Sequence, residues 1–149
     1  MTNNYYNQKF NKPCAVCGKD ILVDQFGQGE CPHCNWFNNF MGEENDDKVI
    51  FPNLVSFNKA KKLYNDGKPF KPSLSEFLEV LYFYSEMAFI YNDIEFCLFR
   101  TNNEYGIEFC WSANDSYLFE NNEDFIKNAK IGDEYVRDIW DQVEDPRYM

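Results

Sequence analysis

The chain has 149 residues, with 25 acidic and 14 basic side chains, a net charge of −11, 19% aromatic residues and six cysteines. That length suits one domain, or a small metal-held lobe beside one compact domain, and 15 Phe with 10 Tyr supply ample area for a core. The longest apolar candidate, Phe77 to Phe99, is interrupted by Glu86 and Asp93, which excludes a membrane-spanning helix and predicts a soluble protein.

The first residues, MTNNYYNQ, have neither the basic nor the apolar region of a secretory signal, so the expected compartment is the reducing cytoplasm. Residues 1–12 read as a flexible tail, rich in Asn and Tyr and anchored at most by Tyr5, Tyr6 or Phe10. Two C-x-x-C pairs follow, Cys14-Ala15-Val16-Cys17-Gly18 and Cys31-Pro32-His33-Cys34. Four thiolates at this spacing can occupy the corners of one tetrahedron, which predicts a structural zinc held by Cys14, Cys17, Cys31 and Cys34. The competing use of C-x-x-C is thiol exchange, and His33 is an alternative fourth ligand; two complete pairs favour zinc on cysteine alone.

Between the pairs, Ile21-Leu22-Val23 reads as a short strand and Phe26-Gly27-Gln28-Gly29 as a glycine turn leading back to Cys31, the layout of a zinc ribbon over residues 13–48. Trp36, Phe37 and Phe40 are expected to dock this lobe on the body of the protein. Glu43, Glu44, Asp46 and Asp47 lie in a polar loop that lacks the alternating ligands of a calcium site.

Residues 49–149 read as an acidic α+β domain, with helices packed on a small antiparallel sheet. Ser56 is a candidate N-cap for a helix to about Asp66, ended by Gly67. Ser73-Leu74-Ser75-Glu76 offers a capping box for a long helix over Leu74 to Tyr91, with Leu74, Phe77, Leu78, Leu81, Tyr84, Ala88 and Tyr91 on its core face. Tyr82, Phe83, Phe89 and Ile90 widen its apolar arc, which implies burial on two sides or a partner surface. Ile94 to Arg100 and Tyr105 to Ser112 alternate as strands joined through Asn102-Asn103, and Ser116 to Glu120 adds a third. This loop would set Cys97 and Cys110 diagonally, too far apart for an unstrained disulfide, as free thiols packed against a helix, with a second metal site as the alternative. Two short helices, near Glu123 to Ala129 and Asp133 to Val143, close the chain.

Charge is unevenly placed. Residues 1–72 hold nine Lys and eight acids, a net of +1, whereas residues 73–149 hold five basic and seventeen acidic residues, a net of −12. Such a surface repels phosphate backbones and attracts basic proteins. A zinc-ribbon nucleic-acid-binding or transcription accessory protein is the alternative, working through Lys59, Lys61 and Lys62, although residues 1–72 contain no Arg. Catalytic signals are poor: one histidine, no glycine-rich phosphate loop and no serine elbow.

From Cys14 to Tyr64 the chain resembles the bacterial cysteine-rich CPCC family. The shared residues are Cys14, Cys17, Gly18, Cys31, Pro32, Cys34, Trp36, the acidic loop and Asn53-Leu54-Val55-Ser56 with Ala60 and Tyr64; Ala15 and Val16 replace the Pro and Cys of the name-giving motif. The segment Glu123 to Glu144, with Phe125-Ile126, Ile131-Gly132 and Ile139-Trp140-Asp141, is similar to the ends of small bacterial toxin-immunity proteins. This resemblance implies a non-enzymatic protein that neutralises a cognate toxin by binding it, and the acidic surface suits a basic toxin domain such as a nuclease.

Overall fold

The computed structural model describes residues 8–39, 47–50, 52–112 and 115–149. Tyr5, Tyr6, Phe40, Glu43, Glu44, Asp46 and Asn114 lie outside the described residues. The architecture is α+β, with four α-helices and several antiparallel sheets among the described residues. The chain divides into two compact units, Met1–Phe70 and Lys71–Met149. The helix after Ser56 therefore belongs to the same unit as the cysteine pairs.

In the first unit, β1 (Phe10–Pro13) pairs with β2 (Asp20–Val23), and β3 (Gln28–Glu30) pairs with β4 (Phe37–Asn39). The strand β1 begins inside the segment expected to be a tail. Asp24 makes the turn between β2 and β3, its Oδ1 accepting from the Phe26 and Gln28 N–H groups at 2.8 and 2.9 Å, while Gly27 takes φ 77°. Gly29 passes so close to β2 that a Cβ there would sit 2.5 Å from the Leu22 carbonyl oxygen. Helix α1 (Phe57–Asn65) starts at Ser56, whose hydroxyl accepts from the Lys59 N–H at 3.2 Å, and ends where Gly67 adopts φ 68°. The core of this unit is small: Ile21, Val23, Trp36, Val55 and Ala60 bury around the cysteines. Trp36 does not reach far for its partners, meeting Phe57 at 6.0 Å and Phe70 edge-on at 6.1 Å within the same unit.

The second unit is a five-stranded antiparallel sheet with helix α2 (Leu74–Tyr84) on one face. Its strands are β5 (Glu86–Tyr91), β6 (Ile94–Arg100), β7 (Ile107–Ser112), β8 (Asp115–Phe119) and, at the other edge, β11 (Glu144–Tyr148), in the order β11-β5-β6-β7-β8. Ser73 caps α2 as its spacing predicts, accepting from the Glu76 N–H at 3.2 Å while its hydroxyl reaches the Glu76 carboxylate at 2.9 Å. The helix is shorter than the expected Leu74 to Tyr91. It stops at Ser85, which takes φ 68°, and Glu86–Tyr91 becomes a strand paired on both sides, with β6 and β11. Two ladders of inter-strand hydrogen bonds outweigh a helical spacing that local propensity leaves undecided. The part of the apolar arc beyond Ser85 is thereby explained: Met87, Phe89 and Tyr91 face the core from a strand and Ile90 lies on the other side, whereas Tyr82 and Phe83 stay on α2 and are exposed.

The core of this unit is aromatic. Phe89, Phe96 and Phe109 stack across the three central strands, with centroids 5.5 and 5.8 Å apart, and Phe77 and Trp140 close over Phe89 at 6.2 and 5.5 Å. The Trp140 indole N–H donates to the Pro72 carbonyl at 2.9 Å, and the Lys71 ammonium donates to the carbonyls of Trp140 and Val143.

Two further expectations are corrected. The connection between β6 and β7 is longer than Asn102-Asn103: the Thr101 N–H donates to the Gly106 carbonyl at 3.1 Å, so Asn102 to Tyr105 form the loop. The register moves by two residues, and Cys97 stands directly opposite Cys110 rather than diagonal to it. Both are free thiols on the sheet face opposite α2 rather than packed beneath it. The helix expected over Asp133 to Val143 is replaced by a small hairpin, β9 (Lys130–Ile131) with β10 (Glu134–Tyr135), then one turn of α4 (Val136–Ile139) and a 3₁₀ turn, Trp140–Gln142. Helix α3 (Asn122–Asn128) matches its prediction within a residue. Val136, Ile139, Trp140 and Val143 are nevertheless all buried, because α4 and the 3₁₀ turn keep them on one side.

Candidate metal centre

The two cysteine pairs are built by the same turn used twice. In the first, the Cys14 N–H donates to the Lys19 carbonyl at 2.8 Å and the Gly18 N–H to the Cys14 carbonyl at 2.9 Å. In the second, the Cys31 N–H donates to the Trp36 carbonyl at 2.8 Å and the Asn35 N–H to the Cys31 carbonyl at 2.8 Å. The fourth residue after each leading cysteine must take positive φ, 78° at Gly18 and 67° at Asn35, and Gly and Asn are the residues that do so at least cost. Each turn aims two sulfurs the same way.

The four sulfurs meet. Cys14 Sγ lies 3.7 Å from Cys34 Sγ, Cys17 Sγ lies 3.6 Å from Cys31 Sγ, and all four are within 4.8 Å of one another. These separations are far beyond a disulfide bond and short for four unlinked thiols, which makes the cluster a possible metal site. Cys14 and Cys31 are buried, while Cys17 and Cys34 are half-buried.

Burial pushes the Cys14 thiol up, but the backbone N–H groups of Cys17 and Val16, the Asn38 amide and the Cys34 thiol together hold it below its ordinary value. Cys17 and Cys34 are pushed up, first by burial and then by neighbouring sulfurs. The protein alone thus makes Cys14 easier to deprotonate than Cys17 or Cys34. A bound cation would allow several thiolates to share so small a volume.

Asn38, on β4, is a member of this site that the sequence did not single out. It is fully buried, its Oδ1 accepts from the Ala15 N–H at 2.9 Å, and its Nδ2 faces Cys14 Sγ, the Gly29 carbonyl and the Trp36 carbonyl, each at 3.4 Å. One amide therefore ties the first cysteine turn to the strand that follows the second. A buried ligand sulfur with a hydrogen-bond donor is held in place and made easier to deprotonate. Asn53 acts one layer out, its side-chain amide pairing with both the N–H and the carbonyl of Phe37 at 3.0 and 2.9 Å. No periodicity flags either asparagine; only the fold gives them partners.

His33 is exposed and lies outside the sulfur cluster, and its backbone N–H donates to Cys31 Sγ at 3.4 Å. The Lys61 ammonium sits 4.3 Å from the centre of the Phe57 ring. Among the described residues Cys97 and Cys110 belong to no such cluster; burial, then Glu95 beside the first and Glu108 beside the second, pushes both thiols up. Among the described residues no helix is long and apolar enough to cross a membrane. No protein-family model, curated protein or solved structure matches this chain.

Proposed function

We propose that this protein is a non-enzymatic binding protein, a bacterial immunity protein whose acidic carboxyl-terminal unit captures a basic toxin domain, while a structural zinc holds a ribbon-like amino-terminal lobe. The observation that carries the reading is charge. The unit Lys71–Met149 holds six basic and seventeen acidic residues. Electrostatic complementarity of this kind speeds encounter with a basic partner and makes binding salt-sensitive. The similarity of Glu123 to Glu144 to the ends of toxin-immunity proteins points the same way.

The metal centre supports binding over catalysis. Four sulfurs around one ion leave no coordination position for water or substrate. Zinc suits the geometry: four sulfurs at the zinc–thiolate distance of about 2.3 Å from a central ion lie about 3.8 Å from each other, close to the 3.6 and 3.7 Å found here. The resemblance of Cys14 to Tyr64 to the CPCC family fits the same lobe. Metal analysis should return one zinc per chain, and X-ray absorption should return four sulfur neighbours.

The test of function is co-expression with the product of the adjacent gene. The expected result is rescue of growth and a co-purifying basic protein whose binding weakens as salt is raised. Failure of every neighbouring product to be toxic or to bind removes the reading.

A further inference from the structure

The second unit carries an exposed aromatic cluster where α2, α3 and the loop between β6 and β7 converge. Phe83 is 78% exposed, Tyr105 57% and Tyr82 42%, although each is large enough to be worth burying. Their rings are organised: Tyr82 meets Phe83 edge-on at 5.3 Å and stacks with Tyr105 at 6.3 Å. Together with Glu79 and Glu123 they line a groove of about 550 Å³. Glu104 stands at its edge, accepting from the Tyr82 hydroxyl at 3.1 Å.

Arg100 forms the floor and fixes this arrangement. Its guanidinium donates to the Tyr105 carbonyl at 3.0 Å, to the Leu78 carbonyl at 3.0 Å and to Asn122 Oδ1 at 3.1 Å. The loop bearing Tyr105 is thereby held against α2. The same guanidinium lies 5.6 Å from the centre of the Tyr82 ring, so one face of that ring already receives a cation. With Glu79, Glu104 and Glu123 around it, the single charge of Arg100 is outnumbered and the groove is net negative.

We propose that this groove is the docking point for an arginine or lysine side chain of a basic partner protein, stacked on Tyr82, Phe83 and Tyr105 and neutralised by Glu79 and Glu123. The inference rests on the reading of this protein as a binder of a basic toxin, and gives that capture an anchor. Preformed aromatic surface beside charge of the opposite sign is the composition of an interface hot spot. An acidic surface alone would attract basic proteins without orienting them; fixed rings and a groove select one side chain.

The probe is hexa-arginine amide, titrated into the full chain and followed by amide chemical shifts, with hexa-glutamate as control. Shifts should concentrate on Tyr82, Phe83, Tyr105 and Asn122. Replacing both exposed rings (Phe83→Ala with Tyr105→Ala) should weaken binding about five- to thirtyfold, the combined effect of two exposed cation–π contacts. Replacing two acids at the opposite end of the sheet, Asp93→Asn with Glu144→Gln, should weaken it less than twofold. Thermal melts establish that each variant is folded. Shifts spread evenly over the acidic surface, or a double-ring variant that binds like the parent, would overturn the proposal. The adjacent-gene assay separates this from failure of the wider reading: rescue by the parent and equally by the double-ring variant removes the groove and leaves the immunity function standing.

Discussion

Phe89 is the residue on which the second unit can be tested most sharply. It is wholly buried on a central strand, with rings of Phe77, Phe96, Phe109 and Trp140 at 6.2, 5.5, 6.1 and 5.5 Å. Truncating a buried Phe to Ala costs about 3–5 kcal/mol, and each aromatic pair adds about 0.5–1.5 kcal/mol beyond area burial. Four such pairs put Phe89→Ala at the upper end, about 5 kcal/mol. For the 79 residues from Lys71 to Met149, a total stability of about 4–12 kcal/mol is expected, so the variant should lose from about two fifths of its stability to all of it. Urea denaturation followed by far-UV circular dichroism and tryptophan fluorescence measures the loss. Phe83→Ala is the matched control, because the same chemistry at a 78% exposed site should change stability by less than about 0.5 kcal/mol. A loss below about 2 kcal/mol for Phe89→Ala would refute both the strand assignment and the aromatic core built on it.

Three further outcomes follow from the geometry. Asn38→Ala strands the Ala15 N–H and removes the donor to Cys14 Sγ, so zinc affinity should fall about 10- to 100-fold in competition with a chromophoric chelator; unchanged affinity would remove Asn38 from the site. Gly29→Ala drives a methyl to 2.5 Å from the Leu22 carbonyl, which cannot rotate away, and should cost about 1–3 kcal/mol, read as a lower melting temperature of the metal-loaded protein. Asn121 caps α3, its Oδ1 accepting from the Asp124 N–H at 2.9 Å, and Asp124 in the first turn accepts from the Glu120 N–H at 2.9 Å and the Asn128 amide at 2.7 Å, contacts that hold its carboxyl below the ordinary value. Its contribution is complete above about pH 4, the unfolded value, and is lost as pH falls through the lower folded-state value; Asp124→Asn should therefore lower stability in the neutral region, converge on the parent at low pH and so flatten the acid limb of the stability profile.

Elements with a chemical start signal were readable from sequence, and those whose identity depends on a distant partner were not. Ser56 and Ser73 begin α1 and α2 because a hydroxyl satisfies an otherwise orphaned N–H, a local interaction. The end of α2 is different. Nothing in Glu86 to Tyr91 opposes a helix, and the segment becomes a strand because β6 and β11 flank it. A local signal for this did exist: Asn92 and Asp93 both take positive φ, 50° and 64°, the conformation of a two-residue hairpin turn, and Asn and Asp tolerate it best among residues other than Gly. Tyr91-Asn92-Asp93-Ile94 thus marks a hairpin, and a hairpin needs a strand on each side. The carboxyl-terminal strand was hidden by Pro146 and by the bulge between Glu144 and Arg147, features that an edge strand accommodates.

The metal centre divides along the same line. Its candidate ligands are spaced by the covalent chain, so Cys14, Cys17, Cys31 and Cys34 announce themselves, and even the repeated turn is visible in Gly18 and Asn35 at matching positions. What orients those ligands is not spaced by the chain. Asn38 reaches back 23 residues to Ala15, and Asn53 reaches back 16 to Phe37. Each brings a side-chain amide to backbone groups of the lobe, Asn38 to the Ala15 N–H and Asn53 to both polar groups of Phe37. A metal held by these four cysteines would fix four points, and the two asparagines would carry that constraint outward to β4 and to the segment leading into α1. Loss of either amide should loosen the lobe while leaving every ligand in the sequence, a distinction that ligand spacing alone would never suggest.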